Sequence, residues 1–139
     1  MKDTDIAYIA GLFDGEGCVS YKQYMRKRSN NKKAYPTWQI RLEMAMTDKS
    51  ILIWVCEVLG VGTLTDKPRK GLRKNGTKYL MQYRWRCTFR DAYYVCLLIW
   101  PWSHTKLPKI QQIIEHYSHI KMNGKVVNLQ DYKRIMNLE

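Results

Sequence analysis

Acidic residues are scarce in this chain, and long apolar runs are absent. The 139 residues include 12 Asp and Glu against 24 Lys and Arg, which gives a formal net charge of +12 and a pI of about 9.6. The longest apolar run, Tyr93 to Trp102, is far shorter than the ~20 residues of a membrane-spanning helix. The first residues, MKDTD, are acidic, so no secretory signal is expected. These absences argue against a membrane-spanning or secreted protein.

Cysteine is also sparse and is poorly placed for cross-linking. The four cysteines lie far apart and form no CxxC pair: Cys18, Cys56, Cys87 and Cys96. This spacing predicts reduced thiols in an intracellular, reducing environment rather than a disulfide framework. His116 and His119 have no cysteine at the spacing of a standard zinc site, so zinc is not expected. No small-molecule cofactor is expected either.

What the chain does contain is an ordinary share of apolar sequence and a large excess of positive charge. Apolar residues make up 45% of the composition, and 139 residues suit one domain with its own core. We expect a single domain over residues 1–139, with a core over about residues 5–120 and a helical tail over about residues 125–139. The charge indicates a polyanionic partner, either nucleic acid or an acidic membrane surface.

The hydrophobic period alternates between that of helices and that of strands. Residues 5–14 are expected to form a helix with Thr4 or Asp5 as its N-cap. The pattern further predicts strands over residues 18–28, 37–46, 61–67 and 79–89, and helices over residues 49–59, 91–100 and 106–119. This α-ββα-ββαα order predicts an α+β fold in which helices cover one face of a curved, four-stranded antiparallel sheet.

The other face of the predicted sheet carries the positive charge. Seven basic residues and no acid lie from Lys22 to Arg41, and nine basic residues and no acid lie from Lys67 to Arg90. Arg and Gln can read guanine and adenine edges in a major groove, so double-stranded DNA fits better than a membrane, for which exposed Trp, Phe and Leu are expected. The candidates for DNA contact are Ser20, Lys22, Tyr24, Arg26, Arg28, Gln39, Arg41, Lys67, Gln82, Arg84 and Arg86.

The stretch DGEG, residues 14–17, places two carboxylates where the first helix ends. A helix carboxyl terminus is unfavourable for negative charge, so a cation is expected beside Asp14 and Glu16. Gly15 and Gly17 are expected to adopt unusual backbone angles that allow a tight exit from the helix. Mg²⁺ binds carboxylate, water and phosphate oxygens, and it would offset the repulsion between these acids and DNA phosphates.

The longer run YIAGLFDGEG closely resembles the LAGLIDADG motif of homing endonucleases, and Ile9 to Gly17 match that motif position by position. The order of elements and the segments Met46 to Gly62 and WPWSHTKLPKI are also similar to the family, so the resemblance covers most of residues 5–120. It implies the family's fold and an intron-encoded, Mg²⁺-dependent endonuclease that hydrolyses both DNA strands at a long, near-palindromic site and leaves 3′ overhangs. Mn²⁺ is expected to substitute, and Ca²⁺ is expected to support binding without cleavage.

The resemblance also implies roles for individual residues. Glu16 matches the metal-binding catalytic acid, with the Gly15 carbonyl oxygen as a further metal ligand. Asp48 matches a catalytic position often held by Gln, where an acid either adds a metal ligand or caps a helix. Lys106, with Lys109 as the alternative, matches the lysine that stabilises charge at the scissile phosphate.

A single copy of the motif implies a homodimer. Family members with two copies are pseudosymmetric monomers, whereas members with one copy pair through the motif helix. Ala7, Gly11 and Gly15 recur every four residues and form a strip that admits either a second chain or packing within one chain. The resemblance makes this strip the dimer contact, with Asp14 capping the partner helix. The predicted interface residues are Ala7, Gly11, Asp14 and Gly15.

Two other functions would use the same scaffold. An RNA-binding intron maturase would not need Glu16, and a non-cleaving sequence-specific DNA-binding protein would bind its site without cutting it. An arginine that the family carries shortly after Asp48 is missing here, because residues 51–53 are apolar. Either Arg41 or Lys49 compensates for it, or activity is low, which keeps the binding-only function open.

Overall fold

The structure is a computed structural model that describes residues 1–27 and 33–118. Over these residues, the helices and strands follow the predicted order and form a four-stranded antiparallel sheet, so the predicted fold class is confirmed. The elements are α1 (Asp3–Glu16), β1 (Gly17–Lys27), β2 (Ala34–Met46), α2 (Lys49–Leu59), β3 (Thr63–Lys67), β4 (Gln82–Thr88), α3 (Phe89–Ile99) and α4 (Leu107–Ser118). Arg28 and the tail predicted over residues 125–139 lie outside the described residues.

The sheet has the strand order β1-β2-β4-β3, so its two hairpins meet along β2 and β4 at the centre. β1 pairs with β2 over its whole length. β4 pairs only with the last part of β2, from Arg41 opposite Thr88 to Met46 opposite Tyr83. Because side chains alternate between the two faces of a strand, these registers fix which residues share the outer face.

One hydrophobic core lies between the inner face of the sheet and the helices. Trp85 of β4 is fully buried at its centre, where its ring meets Phe13 of α1 edge-on with centroids 5.6 Å apart. The Trp85 Nε1 donates a hydrogen bond to the Val61 carbonyl oxygen at 3.1 Å, so the polar end of the ring is satisfied. Gly62 has a φ of 96°, and a Cβ there would contact the Trp85 ring. The loop before β3 therefore needs glycine at this position.

Several boundaries differ from the prediction for identifiable reasons. α1 begins at Asp3 after Lys2, with no side-chain cap, so the prediction of Thr4 or Asp5 as N-cap is wrong. β4 ends at Thr88, and Phe89 turns into α3 with a φ of 51° and an exposed ring. Its predicted place in the strand is therefore wrong.

The remaining differences concern shorter stretches. β2 begins at Ala34, inside the predicted loop, and β3 begins at Thr63. A 3₁₀ turn, Trp100–Trp102, follows α3 and was not expected from the sequence. No helix in the described ranges, 1–27 and 33–118, is long and apolar enough to cross a membrane.

Candidate functional site

The acidic motif lies at the junction between α1 and β1. α1 continues through Gly15 to Glu16, and Gly17 begins β1 with a φ of −88°. Neither Gly15 nor Gly17 has a positive φ, so the prediction of unusual backbone angles is wrong. Gly17 is needed for space instead, because a Cβ there would lie 2.8 Å from the Phe13 Cα. The compact junction leaves Glu16 exposed at the start of the sheet.

Asp14 connects the motif to the segment that carries Lys106. Its Oδ2 accepts a hydrogen bond from the His104 amide at 2.9 Å, and its Oδ1 accepts one from the Lys106 amide at 3.0 Å. These amides precede α4, where backbone N–H groups without helical partners favour a carboxylate. Asp14 thus caps a segment of its own chain, whereas the predicted contact with a partner helix stays a prediction.

The two candidate lysines have different surroundings. Lys106 is half-buried just before α4, with its backbone held by Asp14. The Lys109 Nζ donates to the Tyr21 carbonyl oxygen of β1 at 3.5 Å. Since only Lys106 is tied to the motif through Asp14, the geometry favours Lys106 over Lys109.

Asp48 is the N-cap of α2. Its Oδ1 accepts hydrogen bonds from the Ser50 hydroxyl at 2.6 Å, from the Ser50 amide at 3.0 Å and from the Ile51 amide at 3.4 Å. The bonds from the Ser50 hydroxyl and from these two amides hold the pKa of Asp48 below its ordinary value. Of the two roles left open by the sequence, the structure shows the helix cap. The role as a metal ligand stays a prediction.

The metal donors that one chain offers are few. Among residues 1–27 and 33–118, no group of three or more His, Cys, Asp and Glu side chains is arranged to hold a metal ion. The predicted ligands are the exposed carboxylate of Glu16 and the carbonyl of Gly15, which lies in the last helical turn, where carbonyls lack intrahelical partners. Mg²⁺ usually takes one or two carboxylates and completes its shell with water and phosphate oxygens. The donor set fits such an ion.

The outer face of the sheet brings the predicted DNA-contact residues together from all four strands. Ser20 lies opposite Arg41, and Lys22 lies opposite Gln39. The residues that the registers place on this face are Ser20, Lys22, Tyr24, Arg26, Gln39, Arg41, Lys67, Gln82, Arg84 and Arg86. Together these side chains form one continuous basic surface.

Glu43 is the single acid among the outward-facing residues of the four described strands, and the sequence alone did not identify it as functional. Its Oε2 accepts hydrogen bonds from Arg86 Nη2 at 2.8 Å and Nε at 3.0 Å. Burial raises the pKa of Glu43, but the Arg86 hydrogen bond and the charges of Arg86, Arg41 and Arg84 outweigh burial and hold it below its ordinary value. The spacing of Arg41 and Glu43 predicted a shared face, but the approach of Arg86 depends on the β2–β4 register.

The two glycines of the small-residue strip of α1 are not used for packing within the described chain. The buried side of α1 consists of Ile6, Ile9, Ala10 and Phe13. A Cβ placed at Gly11 or Gly15 would contact no atom within 4 Å in the described part of the chain. Internal packing therefore does not explain these glycines, and their contact with a second chain stays a prediction.

Comparisons with known proteins bear on this site. The family model described as LAGLIDADG endonuclease matches residues 9–84, more than half of the chain. No curated protein matches the chain. Among solved structures, the chain is similar to the homing endonuclease I-CvuI in complex with the I-CreI target in the presence of Mg, with the DNA not cleaved. The two are 16% identical over 97% of this chain and 94% of that chain, with a TM-score of 0.56.

Two further structures share the fold. The archaeal intron-encoded homing endonuclease I-Vdi141I, complexed with DNA, is 11% identical over 99% of this chain and 97% of that chain, with a TM-score of 0.52. I-SmaMI, bound to cleaved DNA, is 14% identical over 96% of this chain and 42% of that chain, with a TM-score of 0.55. At these identities the structures support the fold alone. The family match, which includes the motif from Ile9 to Gly17, shows that this chain belongs to the LAGLIDADG endonuclease family.

Proposed function

We propose that this protein is a site-specific homing endonuclease that acts as a homodimer, requires Mg²⁺ and cuts both strands of a near-palindromic DNA site. The observation that carries the proposal is the junction of α1 and β1. There the motif acid Glu16 ends α1 directly before the basic sheet, and Asp14, two residues earlier, holds the backbone of Lys106. Family membership supports the assignment to DNA endonucleases.

The outer face of the sheet would bind the duplex. Its Arg and Gln side chains have the donor geometry that reads guanine and adenine in the major groove, and its lysines suit phosphates. The residues proposed for these contacts lie on one face of four adjacent strands, so they can follow a groove together. A dimer would double this surface with two-fold symmetry, which matches a near-palindromic site.

The phosphodiester chemistry is assigned to the residues at the α1–β1 junction. Glu16 and the Gly15 carbonyl oxygen would hold Mg²⁺, which when bound stabilises charge on the attacking and leaving oxygens. Lys106 would place its ammonium group against the phosphate and stabilise the charge that develops there. Asp14 fixes the segment before α4 through its two amide contacts, so its part is to position Lys106.

The dimer is proposed to form through α1. Gly11 and Gly15 carry no side chain on the exposed surface of this helix, which allows a second helix to approach closely at these two positions. Each chain provides one Glu16, so two strands can be cut only if two chains meet at the site. The two-fold symmetry would relate the two cuts to each other, and the resemblance to the family implies that they leave 3′ overhangs.

A non-cleaving DNA-binding protein is the second candidate, because the segment after Asp48 lacks the arginine expected of the family, with residues 51–53 being apolar. A randomised duplex library separates the two functions when bound and cleaved molecules are sequenced after incubation with Mg²⁺. The endonuclease proposal predicts that the native protein cuts one near-palindromic site, while Glu16→Gln binds that site without cutting it. Enrichment of one site by both proteins with no cleavage, in Mg²⁺ and in Mn²⁺, would favour the binding-only function.

A further inference from the structure

One carboxylate on the outer face of the sheet is shared by three guanidinium groups. Glu43 Oε2 lies 2.8 Å from Arg86 Nη2 and 3.4 Å from Arg41 Nε, and Oε1 lies 4.0 Å from Arg84 Nη1. Arg41 lies two residues before Glu43 on β2, and the β2–β4 register places Arg86 directly opposite Glu43. The group is therefore built by the pairing of the two hairpins.

The network extends to a further predicted contact residue. The Gln39 side chain is oriented here so that both its amide oxygen and its amide nitrogen have suitable partners. In this orientation the oxygen accepts a hydrogen bond from Arg41 Nη2 at 2.8 Å. A continuous series of contacts then runs from Gln39 through Arg41 and Glu43 to Arg86. Four of the residues proposed to contact DNA are thus connected, directly or through one neighbour, to the same carboxylate: Gln39, Arg41, Arg84 and Arg86.

The surroundings make the contact between Glu43 and Arg86 stronger than an ordinary surface ion pair. The Glu43 side chain is only 16% exposed, and the three arginines are 27–34% exposed. Partial burial reduces screening by solvent, and hydrogen bonds between charged groups are shorter and stronger than neutral ones. One negative charge against three positive charges leaves the group cationic, so it still attracts a phosphate-rich partner.

The group also has a defined place relative to the motif. Glu43 pairs with Cys18 of β1, two residues after Glu16. The arginines around Glu43 therefore occupy the end of the sheet nearest the motif acid. On a bound duplex, this end faces the base pairs closest to the cleavage position.

We propose that Glu43 is a positioning residue for DNA sequence discrimination, and this rests on the function proposed above. It orients Arg41, Arg84 and Arg86 so that their remaining N–H groups point at base edges. Without it, three long cationic side chains that repel one another would turn to the nearest phosphates. Glu43 thereby lowers the non-specific affinity for DNA and raises the selectivity at the base pairs next to the cleavage position.

The test compares the native protein with Glu43→Gln, which keeps the shape of the side chain and removes its charge. Glu57→Gln is the matched control, because Glu57 is exposed on α2 and the substitution adds the same net charge away from the sheet face. Each protein is incubated with a randomised duplex library in Ca²⁺, the bound molecules are sequenced, and affinity for one unrelated duplex is measured at several salt concentrations.

The proposal predicts a change confined to Glu43→Gln. Discrimination should fall about tenfold or more at several adjacent positions near the centre of the site, chiefly where guanine is preferred. Affinity for the unrelated duplex should be retained or increased, and its log–log salt dependence should steepen by about one to two units as freed arginines bind phosphates. Glu57→Gln should match the native base preferences.

Other outcomes overturn the inference in distinguishable ways. If the native protein enriches no duplex, the proposed function fails and this inference fails with it. If Glu43→Gln keeps the native preferences, only the inference is wrong. Loss confined to one position where cytosine is preferred would mean that Glu43 itself accepts from the cytosine amino group.

A second measurement uses the native protein alone and does not depend on the variant folding. The proposal predicts a resolved, slowly exchanging Arg86 Nε–H signal in NMR spectra recorded without DNA, because that proton is donated to Glu43. An averaged, rapidly exchanging signal would contradict the proposal.

Discussion

A carboxylate oxygen of Asp14, at the end of α1, accepts a hydrogen bond of 3.0 Å from the backbone amide of Lys106, which lies 92 positions later in the chain. The contact brings the last part of the motif to the segment before α4. It therefore explains how a residue far from the motif in sequence can act beside Glu16. The rest of the proposed site is local to the α1–β1 junction.

Asp14→Asn should weaken both the fold and the proposed cleavage. One amide acceptor is kept, but the other is replaced by an NH₂ group that faces a backbone N–H, and the loss of such a partly exposed hydrogen bond costs about 0.5–1.5 kcal/mol. Urea unfolding should show this loss, and cleavage should fall further than stability explains because Lys106 is misplaced. Asp66→Asn on β3 is the control and should change neither. Full cleavage by Asp14→Asn would contradict the positioning role.

Two substitutions of Asp48 distinguish its role as a helix cap from a role as a metal ligand. Ser keeps an oxygen that can cap α2 but removes the carboxylate, whereas Ala removes both. If the cap is its role, Asp48→Ser should keep nearly native cleavage and melting temperature, and Asp48→Ala should lower the melting temperature. Cleavage assays with both variants decide the matter, since loss of cleavage in Asp48→Ser, with native stability, would identify a metal ligand.

The charge of Glu43 should make stability depend on pH. Burial raises its pKa, but the arginines lower it further, so it ends below the ordinary value of 4.5. A depressed carboxyl pKa stabilises the fold above the unfolded pKa, and this contribution is lost as the pH falls through the folded pKa. The native protein should therefore be more stable than Glu43→Gln at pH 6, by up to about 1 kcal/mol for a partly exposed pair. Denaturant unfolding at pH 6 and at lower pH should show the difference shrinking as the pH falls, and a constant difference would contradict it.

Gly11→Leu should separate folding from dimer formation. A Cβ at Gly11 would meet no atom within 4 Å in the described chain, so the fold should be kept and the helix slightly favoured by about 0.5–1 kcal/mol over glycine. The leucine should block the close approach of a second α1. Light scattering should find the native protein at twice its 16.6 kDa chain mass and the variant at the single-chain mass. A native monomer, alone and on DNA, would contradict the proposed assembly.

Much of the fold is predictable because the sequence shows both the hydrophobic period of helices and that of strands. The alternation over residues 37–46 predicts the inner and outer faces of β2. The sequence offers Asp48 or Ser50 as the N-cap of α2 and Gly60 as its end, and in the structure Asp48 is the N-cap and Gly60 the C-cap. The same kind of alternation wrongly predicts that Phe89 belongs to β4. Its apolar side chain continues the pattern of the strand, but its backbone has a positive φ and begins α3. An alternating pattern does not record where a strand stops.

Some residues of the candidate site can also be predicted from the sequence, and others cannot. Glu16 can be identified from a short motif because its neighbours in sequence are its neighbours in space. Glu43 cannot, because its partners on β4 arrive through a strand register that no local pattern specifies. Asp14 lies in the motif, but its two amide partners come from a segment whose approach depends on packing of the whole core.

The proposed function requires that two chains each contribute one Glu16 and that each Glu16 acts in the cleavage of one DNA strand. The most direct measurement uses a mixed dimer of native and Glu16→Gln chains, purified through two different affinity tags, on a supercoiled plasmid that carries the selected site in Mg²⁺. We expect a nicked circle from the mixed dimer, linear DNA from the native dimer and no cut from the doubly substituted dimer. Linear DNA from the mixed dimer, or cleavage by the doubly substituted dimer, would contradict it.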